Sequence, residues 1–198
     1  MSDWSFARVW AAIAEVAPER EAVVCGPTRL TYGRLADRAA RLASHLSNLG
    51  VGPGDKVAID LVNRPEYLEA FWAALELGAV PVNVNYRYGA IEIQYLLDDA
   101  DAKAVVTEPA FVDEVTTAAT RLGRQRGKRF IPAIVDTGVE YEALLASSSP
   151  DGPWRDRTPS GDALIFLYTV GTTGMPNGVM WRNDDLYAAR WGMGRPGS

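Results

Sequence analysis

Cysteine and histidine are almost absent from this chain. Cys25 is its only cysteine, so no internal disulfide can form and a reducing compartment fits best. His45 is the only histidine. It falls on the flank of a helical pattern with no Ser, Cys or Asp motif beside it, and reads as a boundary residue rather than a base. Long apolar runs are missing too: the longest, Ala163 to Leu167 with Tyr168 beyond, is far too short to cross a bilayer. The first residues, MSDWSFARVW, lack the basic segment and apolar stretch of a signal peptide. Positive charge is not in excess: the net charge of −5 disfavours nucleic acid as a partner, because duplex binding is driven by neutralising phosphates. These absences predict a cytoplasmic protein with no membrane span.

What remains is ordinary globular material. The 198 residues are 47% hydrophobic and 23% charged, enough for one domain with a substantial core or two small ones. Phe6, Val9, Trp10, Ile13 and Val16 have the spacing of an amphipathic helix. Residues 21–30 suggest a short hairpin around Gly26-Pro27. Thr31 is positioned to cap a helix whose apolar face is Leu35, Ala39, Leu42, Leu46 and Leu49, with Gly50 as its stop and Asp37 four residues before Arg41 on its outer side. From residue 56 the period changes. KVAIDLV (56–62), AVPVNV (79–84), AKAVVTE (102–108), FIPAIVD (130–136) and ALIFLYT (163–169) read as buried strands. Helical patterns at 65–78, 89–100 and 109–122 alternate with them, 147–162 reads as a connecting loop, and a helix starts at Asn183. This alternation predicts an α/β fold: a doubly wound, largely parallel sheet with helices on both faces, binding ligands at the carboxyl ends of its strands.

The stretch YTVGTTGMPNGVMW (168–181) follows the last of these strands. Gly171, Gly174 and Gly178 permit positive φ and close backbone approach to a ligand. Thr169, Thr172 and Thr173 add hydroxyls, and successive N–H groups can form an anion-binding nest. The spacing is not that of a Walker loop and no lysine follows, while GVMW looks extended rather than helical. By composition alone, a plain surface turn fits as well as a phosphate site.

The same residues resemble a family signature. YTVGTTGMPNGV is similar to the loop [YF]-T-[SG]-G-T-T-G-x-P-K-G-V of the adenylate-forming superfamily, which includes acyl-CoA synthetases, luciferases and peptide-synthetase adenylation domains. LTYGRLADRAARLASHLSNLGVGPGDKVAI (30–59) resembles that family's L-T-Y-x-x-L opening and G-D-x-V-A-I strand. GAVPVNVNYRYGAIEIQYLLDDADAKAVV (78–106), with VMWR after the loop, is closest to the AMP-forming fatty-acyl-CoA synthetases. The resemblance implies a two-step ligase reaction: a carboxylate attacks the α-phosphate of ATP to give an acyl-adenylate and pyrophosphate, and coenzyme A then displaces AMP. It implies that Thr169, Gly171, Thr172, Thr173, Gly174, Asn177 and Gly178 hold the β- and γ-phosphates, with magnesium assisting. Their contribution is electrostatic and positional, with no nucleophile or catalytic residue among them.

Two departures from the signature matter. Val170 stands where the family has Ser or Gly, a minor loss. Asn177 replaces its lysine. A charge-assisted hydrogen bond contributes about 1.5–3 kcal/mol against roughly 0.5–1.5 for a neutral one. The expected weakening is therefore about 10-fold, at most ~100-fold. Length is the larger difference. The family's Y-G-x-T-E and T-G-D segments, hinge and C-terminal domain with its catalytic lysine have no counterpart in residues 1–198. Lys56, Lys103 and Lys128 all precede the loop. Residues 1–198 are thus expected to be the N-terminal part of an AMP-binding domain, inactive alone. The alternatives are a non-catalytic nucleotide-binding remnant and one half of a split enzyme completed by a separate chain.

Other candidates read blandly. Cys25 beside Gly26 is structural, the acidic group Asp98, Asp99 and Asp101 is solvated rather than a metal site, and RLGRQRGKR (121–129) is a solvated basic loop. Phe71 and Trp72 belong to the core, whereas Trp181 and Trp191 are candidates for exposed apolar surface.

Overall fold

Strand β3 (Lys56–Asp60) sets the architecture, because its side chains alternate between two separate cores. A computed structural model describes residues 4–127, 132–157, 159–169 and 175–191. Val57 and Ile59 pack on α2 (Tyr32–Asn48), α3 (Pro65–Glu76) and α6 (Tyr141–Ser147), whereas Ala58 faces α4 (Ala90–Asp99) and α5 (Val112–Arg126). Strands β4 (Val80–Asn83), β5 (Ala102–Thr107), β6 (Ala133–Asp136) and β7 (Leu164–Thr169) run parallel to β3. The sheet ends in β8 (Asn177–Arg182), antiparallel to β7, and its order is β6-β5-β3-β4-β7-β8. The doubly wound, largely parallel sheet with helices on both faces is therefore present.

A small antiparallel ribbon of β1 (Glu21–Cys25) and β2 (Thr28–Thr31) lies outside that sheet. With α1 (Phe6–Val16) it closes over α2 and α3, in a third cluster centred on the fully buried Trp72. The expected cap of α2 is made: the Thr31 hydroxyl accepts from the Arg34 backbone N–H at 3.3 Å. Gly50 ends that helix at φ +87°, a conformation side chains disfavour. Arg41 and Asp37 pair at 2.9 Å, the spacing read from sequence.

Two elements differ from the sequence reading. Helix α5 continues to Arg126, so the basic run begins on helix rather than loop, and Arg126 pairs with Asp98 across to α4. Residues 128–131 lie outside the described residues. Helix α6, within residues left unassigned by pattern, is a seven-residue element held by a charged node. The Tyr141 hydroxyl donates to Glu69 at 2.8 Å, and Arg38 bridges the carboxylates of Glu69, at 2.6 Å, and Glu142. Glu69 is fully buried, so its charge is tolerated only through these partners. Helix α7 (Asn183–Trp191) starts where expected. Its Tyr187 stacks on Trp4 at 5.2 Å and the Asn183 side chain accepts from the Phe6 N–H, which ties it to the start of the chain.

Candidate functional site

The glycine- and threonine-rich stretch connects β7 to β8 at the carboxyl edge of the sheet. Thr169 and Asn177 face each other as the last pair of that ladder, and both are exposed. They form the two posts of the loop. Gly171, Thr172, Thr173 and Gly174, like Val170, lie outside the described residues. The structure thus brings Thr169, Asn177 and Gly178 together at the base of one loop, and the chain places the other four between them.

Gly178 is glycine for a different reason from the one read in the sequence. It sits inside β8 without a positive φ. A Cβ there would meet the Tyr168 ring at 2.9 Å from Cζ. Close packing of an aromatic ring, rather than backbone conformation, excludes a side chain. The ring cannot easily yield, because the Tyr168 hydroxyl donates to Asp99 at 2.7 Å. Burial, and then this bond to a carboxylate, push the Tyr168 hydroxyl pKa well up. Asp99, read from sequence as part of a solvated acidic group, is therefore an anchor for the strand that leads into the loop. No local sequence signal could have found a bond that spans 69 residues.

A second feature lies at the same edge. β3 leads through α3 to β4 while β5 leads through α5 to β6, so the winding reverses between β3 and β5. Such a reversal is where doubly wound sheets open a crevice. Here it is acidic. Asp60 and Thr107 are register partners at the ends of β3 and β5. Asp60 is 1% exposed. Neither of its carboxylate oxygens has a hydrogen-bond partner among the described residues, nor do the hydroxyls of Thr107 and Thr137. Burial first, then the neighbouring Glu108 and Glu114, push the Asp60 carboxyl up to about 7. Arg64 is engaged by Glu66 at 3.0 Å and Glu108 at 3.3 Å.

The remaining candidates fall into place without chemistry. His45 is half-buried and burial lowers its pKa. The Cys25 thiol lies 3.8 Å from the Asn63 carbonyl. Among the described residues, no group of three or more His, Cys, Asp or Glu side chains could hold a metal ion. No helix among them is long and apolar enough to cross a membrane.

Comparison with known proteins bears on the family and the fold. The family model described as AMP-binding enzyme matches residues 10–196. A medium/long-chain-fatty-acid–CoA/3-oxocholest-4-en-26-oate–CoA ligase of Mycobacterium marinum is 39% identical over 189 residues, covering 90% of this chain and 34% of that protein. A 3-oxocholest-4-en-26-oate–CoA ligase of Rhodococcus rhodochrous is 40% identical over 179 residues, covering 87% of this chain and 32% of that protein. Among solved structures, a Mycobacterium tuberculosis fatty acyl CoA synthetase superposes with a TM-score of 0.80 at 27% identity, covering 95% of this chain and 37% of that one. The N-terminal domain of FACL13 from the same organism gives 0.81 at 27% identity, over 94% of this chain and 47% of that one. The chain thus spans about a third of the length of the curated relatives it matches.

Proposed function

The chain belongs to the family of AMP-binding enzymes, and from that premise we propose that it is the N-terminal segment of an ATP-dependent acyl-CoA ligase. The overall reaction joins a carboxylate to coenzyme A, with ATP cleaved to AMP and pyrophosphate. The relatives' names point to an apolar carboxylic acid, a fatty acid or a sterol-derived acid, as the substrate class.

The observation that carries this reading is the hairpin. Its glycine- and threonine-rich connection leaves the carboxyl end of a strand held in place by Tyr168 and Asp99. In that role Thr169, Thr172 and Thr173 offer hydroxyls, and Gly171 and Gly174 let backbone N–H groups approach the β- and γ-phosphates of ATP. Asn177 donates a neutral hydrogen bond, and Gly178 keeps the post against the Tyr168 ring. These groups hold the leaving pyrophosphate and stabilise the charge that develops on it as the carboxylate attacks the α-phosphate. The described residues provide no cluster of three or more His, Cys, Asp or Glu side chains to hold magnesium.

Residues 1–198 form part of the ATP-binding domain, and the remainder of that domain with its C-terminal partner completes catalysis. The chain alone is inactive on this reading. The test is ATP–pyrophosphate exchange and thioester formation, measured with the purified chain and again after co-expression with a polypeptide supplying the rest of the domain. Exchange only in the second case is expected. Thioester from the purified chain with ATP, coenzyme A and a fatty acid would contradict it.

A further inference from the structure

The Tyr168 side chain does not stay on its own strand. Tyr168 and Gly178 are directly opposed in the β7–β8 ladder, one pair below the Thr169 and Asn177 posts. A Cβ at Gly178 would lie 2.9 Å from the ring's Cζ, 3.2 Å from its hydroxyl and 3.3 Å from Cε1, so the ring lies across the neighbouring strand. From there the hydroxyl donates to the Asp99 carboxylate at 2.7 Å. Asp99 is itself firmly placed. Leu97 and Ala100 beside it are buried, and α4 ends where Asp101 turns to φ +51°. Asp98 and Gln94 tie the same helix to Arg126 and Gln125 of α5. The result is a strap rooted in β7, laid over β8 and fixed at α4, one residue pair beneath the loop.

Asp99 does not serve the helix that carries it. As the last residue of α4 it sits at the negative end of the helix macrodipole, where an acidic group is disfavoured. Nor does its charge suit the site, since it repels an anion held by the loop. A carboxylate unfavourable on both counts is accounted for by the bond it makes. We infer that Asp99 is a positioning residue of the phosphate loop. Through Tyr168 it fixes the spacing of the Thr169 and Asn177 posts, and so sets how tightly the loop grips the β- and γ-phosphates. This rests on the functional reading above. Donors already held in place bind an anion better than donors that must be ordered on binding, and a hydrogen bond to a charged acceptor is among the stronger ones for holding a ring. Every contact in the strap lies within the described residues, which by themselves bury Tyr168.

Calorimetric titration of pyrophosphate into the chain and its variants tests this, because charge and positioning predict opposite signs. Asp99→Ala removes both the charge and the acceptor. Loss of repulsion alone would tighten binding, whereas loss of the strap is expected to weaken it by roughly threefold to tenfold. Asp99→Asn keeps an acceptor for the Tyr168 hydroxyl without the charge, and is expected to bind at least as tightly as the wild type. Tyr168→Phe keeps the ring over Gly178 and loses the bond. It should weaken binding as much as Asp99→Ala does, with the double variant no weaker than either alone. Thermal melts place each titration well below the variant's own transition, so a change in stability alone moves no affinity. If one of the two single variants does not fold, the other carries the test. Asp99→Ala or Tyr168→Phe binding as tightly as the wild type, or Asp99→Asn binding as weakly as Asp99→Ala, would overturn the inference. Wild-type binding with unaffected variants counts against the strap only. No binding by the wild type counts against the functional reading and removes the inference with it.

Discussion

Asp60→Asn should stabilise this protein above neutral pH, and by an amount the structure sets. Asp60 is buried at the end of β3 beside the Glu108 and Glu114 charges, with neither carboxylate oxygen hydrogen-bonded among the described residues. Its carboxyl is raised from the usual 3.8 to about 7. Between those values the folded chain holds a proton that the unfolded chain has released. Stability is therefore full below about pH 3.8, falls as pH rises through about 7, and then levels off. The gap between 3.8 and about 7, at ~1.4 kcal/mol per pH unit, amounts to about 4 kcal/mol. That is a large part of the 5–15 kcal/mol typical of a domain. Asparagine keeps the shape and cannot ionise. Urea unfolding of both proteins from pH 4 to 8.5 checks this. The wild type should lose stability relative to Asp60→Asn by up to ~4 kcal/mol, most steeply between pH 5 and 7. Glu76, also raised to about 7 by burial, is present in both and cancels in the difference. Parallel pH profiles for the two proteins would refute the reasoning, because they would mean that Asp60 is ionised without cost in the folded state.

Three further outcomes follow from packing and polar contacts. Gly178→Ala forces a methyl to within 2.9 Å of an anchored ring and should cost about 1–3 kcal/mol in chemical unfolding. Tyr168→Phe removes the hydroxyl that donates to Asp99 and should cost roughly 1–2 kcal/mol, with an Asp99→Asn, Tyr168→Phe double mutant no worse than additive by a double-mutant cycle. Glu69→Leu leaves Arg38 only the exposed Glu142 carboxylate and takes the acceptor from the buried Tyr141 hydroxyl, and should destabilise by about 1–3 kcal/mol in the same assay.

The elements whose patterns repeat were legible in the sequence. β3, β4 and β5 stand out because strands buried on both faces become nearly continuous apolar runs, and α2 because its cap, stripe and glycine stop agree. The loop stood out in the sequence as a resemblance, but the cause of its last glycine did not. Gly178 answers to a ring on the neighbouring strand, which only the β7–β8 register reveals. What stayed hidden depends on distant partners. α6 is too short for a periodic signal and is held by Arg38 and Glu69, whose contacts with it span up to 104 residues. Asp60 looked like one polar letter within an apolar run. Its unpaired burial follows from the crevice made where the winding reverses, and strand order is not written in any local pattern.

The central claim is that the β7–β8 loop grips phosphate, with Asn177 as its weakened point. Calorimetric titration of pyrophosphate into the chain and into Asn177→Lys tests it most directly. A lysine restores a charge-assisted bond at an exposed post of the loop, so the account predicts binding by both proteins, about 10-fold and at most ~100-fold tighter for Asn177→Lys. Equal affinities, or no binding by either protein, would contradict it.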